Sequence, residues 1–244
     1  MKKFGLIGFP LEVSFSKDYF LEKFEHEKLN NCTYELYPIA DISEFPEFLK
    51  THADLCGLNV TIPYKKTVIP YLDGLDDPAS EAGAVNVIKF EKDGKLIGYN
   101  SDVFGFEQSF LPLLRPHHRS ALIFGTGGSA TAVASVLRKH KIPYQFVSRQ
   151  KTSEALTYQD LHHTGFGEAT ILINTTPFGM MPNIDTCADL PYEKITSDFL
   201  CYDLVYTSAE TLFLQKSKAQ GAMIKNGLEM LHLQADQAWD IWQS

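Results

Sequence analysis

No run in this chain approaches the roughly 20 consecutive apolar residues that a membrane-spanning helix requires, so a spanning role is not expected. Basic residues are the scarcer charge: 22 Lys and Arg stand against 30 Asp and Glu, a formal net charge of −8. Nucleic acids and anionic membrane surfaces both call for a basic face, so neither is an expected partner. A small anionic ligand responds to local charge and is not excluded. The start, Met1-Lys2-Lys3, runs straight into a short apolar segment ending at Gly8. The longer apolar region and cleavage site of a secretory signal are missing there. Cysteine is sparse as well: Cys32, Cys56, Cys187 and Cys201 are scattered and form no C-x-x-C pair. Such cysteines read as reduced thiols of a cytoplasmic protein. Neither H-E-x-x-H nor a Cys/His cluster occurs. His117-His118 and His162-His163 are adjacent pairs, whose rings would point to different faces of a helix. We read them as exposed loop histidines and expect no metal site.

What is present is an alternation of apolar runs with amphipathic stretches, the pattern of layered α/β structure. Strands are expected at Phe4–Ile7, Tyr34–Tyr37, Leu55–Val60, Ala121–Phe124 and Tyr144–Val147. Val85–Phe90 and Leu96–Tyr99 read as a hairpin around Asp93-Gly94. Helices are expected over Lys17–Leu29, near Ile42–Thr51, near Phe104–Leu114, over Ala130–His140 and over Leu228–Trp242. A chain of 244 residues is long enough for one large domain or two small ones. Its glycine-rich turn comes only after residue 120, which leaves the preceding stretch to a separate α/β domain. The boundary is expected between Ser101 and Ser120.

That turn, Phe124-Gly125-Thr126-Gly127-Gly128-Ser129-Ala130, is the most informative stretch. Glycines between strand and helix let the backbone turn sharply and approach a phosphate. The helix N-terminus offers that anion free N–H groups and a positive dipole end. Tight strand–helix turns also need glycine for steric reasons alone. The next strand supplies the second half of the pattern. It leads into Ser148-Arg149-Gln150-Lys151, where a NAD-binding fold would carry an acid for the ribose 2′-hydroxyl. Two cations stand there instead. A guanidinium can fork onto a 2′-phosphate, and a charge-assisted bond of this kind is worth about 1.5–3 kcal/mol. The dinucleotide implied is NADP; a solvated loop is the alternative reading of Arg149 and Lys151.

Three segments of the N-terminal part place polar residues at the ends of apolar strands. In Gly8 to Ser16, Ser14 and Ser16 can converge on a carboxylate if the loop is extended. Ser16 is otherwise the N-cap of a helix starting at Lys17, and spacing alone favours the cap. In Asn59-Val60-Thr61-Ile62-Pro63-Tyr64-Lys65-Lys66, two adjacent lysines are usually a solvated turn. A lysine held beside apolar strand ends can instead be partly desolvated, its pKa lowered toward the range of proton transfer. In Tyr99-Asn100-Ser101-Asp102, Asp102 either caps the following helix or holds a charged lysine. A Lys–Asp pair near a hydride acceptor suits alcohol–ketone chemistry.

In this order, ahead of the glycine turn, the three segments resemble the shikimate dehydrogenase family. The resemblance runs along nearly the whole chain. It is carried by Asn59 to Lys65, Gly83-Ala84-Val85-Asn86, Asn100-Ser101-Asp102 with Gly105-Phe106, and Gly125 to Ala130. Asn174-Thr175-Thr176-Pro177-Phe178-Gly179-Met180, Tyr202-Asp203-Leu204-Val205-Tyr206, and Gly227 to Leu231 with Gln234-Ala235 agree. The resemblance implies NADPH-dependent, reversible reduction of 3-dehydroshikimate to shikimate in aromatic amino-acid (chorismate) biosynthesis. It implies two α/β domains: a substrate-binding and catalytic domain of residues 1–101 with 228–244, and a Rossmann-type NADP domain of 102–227. The active site would lie in the cleft between them. Ser14, Ser16 and Tyr206 would hold the substrate carboxylate, and Asn59, Thr61, Asn86, Asp102 and Gln234 the ring hydroxyls. Lys65 would stand at the reacting oxygen with Asp102 beside it, either transferring the proton or polarising the oxygen. Gly125, Thr126, Gly127, Gly128 and Ser129 would cradle the pyrophosphate, and Ser148, Arg149 and Lys151 the 2′-phosphate. Leu204 and Gly227 would lie near the nicotinamide. A monomer or homodimer is expected.

The chain departs from the family pattern in four places. Val13 stands where a histidine is frequent, Lys17 where a proline is, Thr207-Ser208 in place of Asn-Pro, and Ser148-Arg149-Gln150 in place of Asn-Arg-Thr. No reacting group is lost; the departures bear on the carboxylate and 2′-phosphate contacts. The rivals are a quinate or dual quinate/shikimate dehydrogenase and a non-catalytic NADP-binding regulator. The regulator has no need of both Lys65 and Asp102. A short-chain dehydrogenase would use Tyr-x-x-x-Lys, and Tyr19 and Lys23 have that spacing. They precede the glycine turn, so the pair reads as a helix-surface coincidence.

Overall fold

The computed structural model describes residues 1–12 and 14–244; Val13 lies outside the described residues. The chain divides into two compact units, Met1–Ser101 with Gln234–Ser244, and Asp102–Leu233.

The first unit is built on a six-stranded mixed sheet, β1 (Lys2–Gly8), β2 (Cys32–Pro38), β3 (Leu55–Val60), β4 (Gly74–Leu75), β5 (Val87–Phe90) and β6 (Leu96–Tyr99), in the order β2-β1-β3-β5-β6-β4. Central β1 runs parallel to both β2 and β3, while β5 is antiparallel to β3 and forms the hairpin with β6. The near-continuous apolar run of β1 follows from burial on both faces. Phe4 and Leu6 join Phe20, Phe24, Trp239 and Trp242 on one face; Ile7 joins Val60, Tyr64 and Val85 on the other. Gly57 is what lets Trp242 lie on the sheet: a Cβ there would come within 2.3 Å of the indole nitrogen, which donates to the Ile88 carbonyl at 3.1 Å.

Several boundaries differ from the sequence expectation, each for a local reason. Helix α1 (Phe15–His26) starts two residues before Lys17. Its cap is therefore Ser14, whose Oγ accepts from the Ser16 N–H at 3.2 Å, and not Ser16. It stops short of Leu29, and Lys28 is left-handed with φ 57. The stretch from Ile42 begins as a 3-10 turn with a capping box at Asp41 and becomes α2 (Phe45–Thr51). Strand β5 starts at Val87 because the Val85 N–H turns to the Lys65 carbonyl at 2.7 Å. An unforeseen helix α3 (Asp77–Ala82) is capped by Asp76 and ended by left-handed Gly83.

The second unit contains α4 (Ser101–Phe110), β7 (Ala121–Phe124), α5 (Gly128–Lys139), β8 (Tyr144–Ser148), β9 (Ala155–Thr157), α6 (Tyr158–Thr164), β10 (Ile171–Asn174), β11 (Leu200–Asp203), α7 (Leu212–Ala219) and β12 (Met223–Lys225). Ser101, the first residue of α4, is counted with the first unit. The strands are all parallel, in the order β12-β11-β10-β7-β8-β9. This is the doubly wound Rossmann order, whose reversal falls between β7 and β10. The last helix, α8 (Leu228–Gln243), is shared, the division falling inside it at Gln234. Helix α4 begins at Ser101 and not Phe104, because Asn86 Oδ1 accepts from the Ser101 N–H at 2.7 Å and stands in for a local cap.

The histidine expectation needs correcting. His118 is buried, with its Nδ1 accepting from the Arg115 N–H at 3.1 Å in a tight turn, and only His117 is an exposed loop residue. His162 and His163 are exposed but sit on α6. Tyr19 and Lys23 both reach Asp236 of α8, at 2.5 and 3.1 Å, so their spacing serves to tie α1 to α8. Among the described residues, no helix is long and apolar enough to cross a membrane.

Candidate active site

In the first unit, β3 ends in Asn59 and Val60, and Asn86 immediately precedes β5. Both asparagines are buried, and buried amides are costly unless hydrogen-bonded. They are bonded to one another and outward. Tyr34 on β2 donates to Asn59 Oδ1 at 2.7 Å, and Asn59 Nδ2 donates to the Asn86 carbonyl at 3.2 Å. Asn86 Nδ2 donates to Ser101 Oγ at 3.0 Å, and the Ser101 hydroxyl lies 3.4 Å from Gln234 Oε1 on α8. Burial pushes the Tyr34 phenol well above its ordinary range, while a hydrogen bond from the Ser16 side chain acts the other way. One polar chain thus brings together Ser16, Asn59, Asn86 and Gln234. Thr61 packs against the end of β1: a Cβ on Gly8 would fall 2.4 Å from Thr61 Cγ2. Lys65 is half-buried in the turn that follows, anchored by its carbonyl to the Val85 N–H. Ser14 stands at the cap of α1. A cavity of about 490 Å³ in this unit lies at the opposite ends of β1 and β3, lined by Lys2, Phe4, Cys56 and Trp242 among others.

In the second unit, Gly125 leaves β7 with φ 106, a left-handed conformation that favours glycine. A Cβ there would also meet Thr175 Oγ1 at 2.7 Å. Thr175 follows β10 and donates through Oγ1 to the Phe124 carbonyl at 2.6 Å, pinning together the two strand ends at the topological reversal. Helix α5 starts at Gly128 with no side-chain cap and no acid in its first turn. Its first N–H groups lack intrahelical partners, as in any helix. A Cβ built on Gly127 meets no atom within 4 Å, so open space lies beside the exposed turn. A pyrophosphate fits these features: the amides of a helix start, a positive dipole end and room for close approach. At the end of β8, Arg149 is exposed. Lys151 is held by Asp160 at 3.4 Å, and Ser148 Oγ donates to the Gln150 carbonyl.

The end of β11 carries the most buried acid of this unit. Asp203 is 0% exposed and accepts from Asn174 Nδ2 at 2.8 Å, the Val205 N–H at 3.0 Å and Thr211 Oγ1 at 2.5 Å. Burial raises its pKa from the ordinary 3.8 to about 6, against the pull of these three bonds. The network fixes the start of the loop carrying Leu204, Val205 and Tyr206. Leu204 also donates its N–H to the Asn174 carbonyl at 2.9 Å. Gly227 presses against that loop, where a Cβ would sit 2.1 Å from the Leu204 carbonyl oxygen.

The family model of the shikimate dehydrogenase substrate binding domain matches residues 6–88. An NADP(+) shikimate dehydrogenase of Methanocaldococcus jannaschii is 36% identical over 263 residues, covering 99% of this chain and 91% of the relative. Its counterpart in Desulforamulus reducens is 33% identical over 264 residues, covering 98% and 88%. The chain belongs to the shikimate dehydrogenase family. Among solved structures, the shikimate 5-dehydrogenase of Thermus thermophilus in complex with NADP(H) and shikimate superposes with a TM-score of 0.83. It is 28% identical, covering 99% of this chain and 93% of that one.

Within this shikimate dehydrogenase fold, the expected site residues fall into two sets. Ser14, Ser16, Asn59, Thr61, Lys65, Asn86 and Gln234 belong to the first unit. Asp102, Tyr206 and the expected cofactor residues belong to the second. Asp102 is buried in the first turn of α4, and Tyr206 is half-buried. Sequence reasoning assigned no role to Tyr34, Ser101, Asn174, Thr175 or Asp203. Asn174 and Asp203 each end an apolar strand with a polar residue, the signal that had singled out Asn59. Tyr34 carried no such signal, since its partner is 25 residues away.

Proposed function

We propose that this chain is an NADP-dependent shikimate dehydrogenase, an oxidoreductase that reversibly reduces 3-dehydroshikimate to shikimate in aromatic amino-acid biosynthesis. The observation that carries the proposal is the similarity to NADP(+) shikimate dehydrogenases over nearly the entire chain. Asn59, Thr61, Asn86 and Gln234 offer amide and hydroxyl groups of both polarities, which suits the ring hydroxyls of a small polyol acid. Ser14, Ser16 and Tyr206 are assigned to its carboxylate. NADPH, when bound, supplies the hydride for the C3 ketone. Lys65, with Asp102 as its counter-charge, stabilises the negative charge that develops on the carbonyl oxygen, and a proton delivered there completes the alcohol; oxidation runs these events in reverse. The first amides of α5, with Thr126, are assigned to the pyrophosphate, Arg149 to the 2′-phosphate, and Leu204 with Gly227 to the nicotinamide. A cytoplasmic location belongs to this proposal, supported by four cysteines standing as free thiols.

The test is an absorbance assay of reduced nicotinamide, crossing shikimate and quinate with NADP+ and NAD+. Reduction is expected with shikimate and NADP+. Quinate as the better substrate would move the protein to the quinate branch of the same chemistry. Silence in every combination, from protein that still binds NADP+, would favour a regulator. Lys65→Ala is expected to lower kcat by about 10²–10⁴; a near-wild-type rate would remove Lys65 from the chemistry.

A further inference from the structure

We propose that Tyr34 is a positioning residue, whose single hydroxyl holds the Oδ1 end of the Asn59 amide in place while the Asn86 carbonyl holds its Nδ2 end. A separate pair of bonds, to the Ser101 N–H and Oγ, holds the Asn86 amide. The proposal rests on the assignment of Asn59, Asn86 and Gln234 to substrate.

Backbone groups set the polarity of this chain. The Asn86 carbonyl oxygen can only accept, so the Asn59 atom 3.2 Å away is Nδ2. Oδ1 therefore faces Tyr34, and the phenol must donate to it across 2.7 Å. At the other asparagine, the Ser101 N–H can only donate, so the atom 2.7 Å away is Asn86 Oδ1. Asn86 Nδ2 then turns to Ser101 Oγ at 3.0 Å. The Ser101 hydroxyl has two acceptors at 3.4 Å, Gln234 Oε1 and Asn86 Oδ1.

Tyr34 cannot contact a ligand itself. It is 0% exposed and stacked on Phe20 with ring centroids 4.7 Å apart. Its influence passes only through the groups it bonds. Without its hydroxyl, Asn59 Oδ1 becomes a buried acceptor with no donor, and the amide is held only at Nδ2, by the Asn86 carbonyl. A ring hydroxyl then meets an Asn59 side chain held at one end only. The loss acts on ground state and transition state alike, so it falls on KM and spares kcat.

The experiment is steady-state kinetics on wild type, Tyr34→Phe and Ser101→Ala, with thermal melts of each. Tyr34→Phe keeps the ring and its stacking. We expect it to raise the KM for shikimate about tenfold, as for a lost buried hydrogen bond. Its kcat is expected within about twofold of wild type and its KM for NADP+ unchanged. Ser101→Ala, at the other end of the chain, should show the same split. A general structural defect would lower Tm and move kcat and both KM values together, which would overturn the proposal. An unchanged shikimate KM in both variants, with the wild type active, would overturn it too while leaving the assigned activity standing. Wild-type protein that neither turns over nor binds shikimate would overturn both.

Discussion

At the scale of single residues, two glycines in the second unit make opposite demands. Gly227 is required by the protein itself: a Cβ there would overlap the Leu204 backbone, with the carbonyl oxygen at 2.1 Å and the carbonyl carbon at 2.6 Å. Backbone atoms cannot swing aside as a side chain can. Gly227→Ala is expected to destabilise by about 2 kcal/mol or more, roughly 4–8 °C in Tm for a chain of this size. Gly127 has an ordinary φ of −75 and no protein atom within 4 Å of its missing Cβ. Gly127→Ala should melt like the wild type and instead raise the KM for NADP+, because the methyl occupies space a phosphate would need. A melt lowered in Gly127→Ala, or unchanged in Gly227→Ala, would contradict these assignments. The 2′-phosphate contact divides just as sharply. Lys151 is already engaged by Asp160, whereas Arg149 is exposed at the end of β8. Arg149→Ala is expected to cut the preference for NADP+ over NAD+ by roughly 10- to 150-fold, and Lys151→Ala by much less. Equal effects of the two, read as kcat/KM ratios for the two cofactors, would return Lys151 to the phosphate.

At the scale of elements, legibility followed the length and neatness of the local pattern. Leu55–Val60, Leu96–Tyr99 and Ala121–Phe124 are short apolar runs bounded by turn residues, and the structure places strands over those same spans. The region from Lys151 to Leu228 yielded no expected elements, yet it supplies four strands and two helices. Its strands are three or four residues long. Ile171–Asn174 and Leu200–Asp203 owe their existence to pairing in a parallel sheet, a nonlocal cause that periodicity does not register. Helix starts failed for a related reason. The start of α4 is set by Asn86, distant in sequence, and the serine chosen as the cap of α1 was the wrong member of Ser14-x-Ser16. In the candidate site, residues with strand-end polarity or glycine-turn character were visible, Asn59 and Gly125 to Ser129 among them, whereas Asn86 fell inside an expected strand and came only with the family resemblance. Tyr34 sits mid-strand in a segment that reads as ordinary apolar packing. Its polar role exists only because β2 lies beside β1 and β1 beside β3.

At the scale of the whole molecule, stability should vary with pH in two opposing directions. Burial pushes Glu107 upward, but Lys139 at 2.8 Å and His140 at 2.6 Å outweigh it and hold the carboxyl below the ordinary glutamate value. A lowered carboxylate stabilises the fold above its unfolded pKa, and that contribution is lost as pH falls through the folded value. Asp203 behaves in the reverse sense. Its pKa is raised by burial to about 6 from 3.8, and its hydrogen-bond partners Asn174, Val205 and Thr211 are all neutral. The stability it contributes is complete below the unfolded pKa and is lost as pH rises through about 6. The loss is on the order of 2–3 kcal/mol, since each tenfold change in proton affinity between folded and unfolded chain is worth about 1.4 kcal/mol. Maximum stability is therefore expected on the mildly acid side of neutrality. Asp203→Asn keeps an acceptor for Asn174 and Val205 and supplies a donor for Thr211 Oγ1, while removing the proton equilibrium. Melting curves taken from about pH 4 to pH 8 should show wild type losing stability relative to Asp203→Asn across the window between about pH 4 and 7. Two parallel profiles would mean that Asp203 keeps one charge state throughout. The buried acid beneath the Leu204 loop would then be an ordinary carboxylate, held ionised by its three donors in spite of burial.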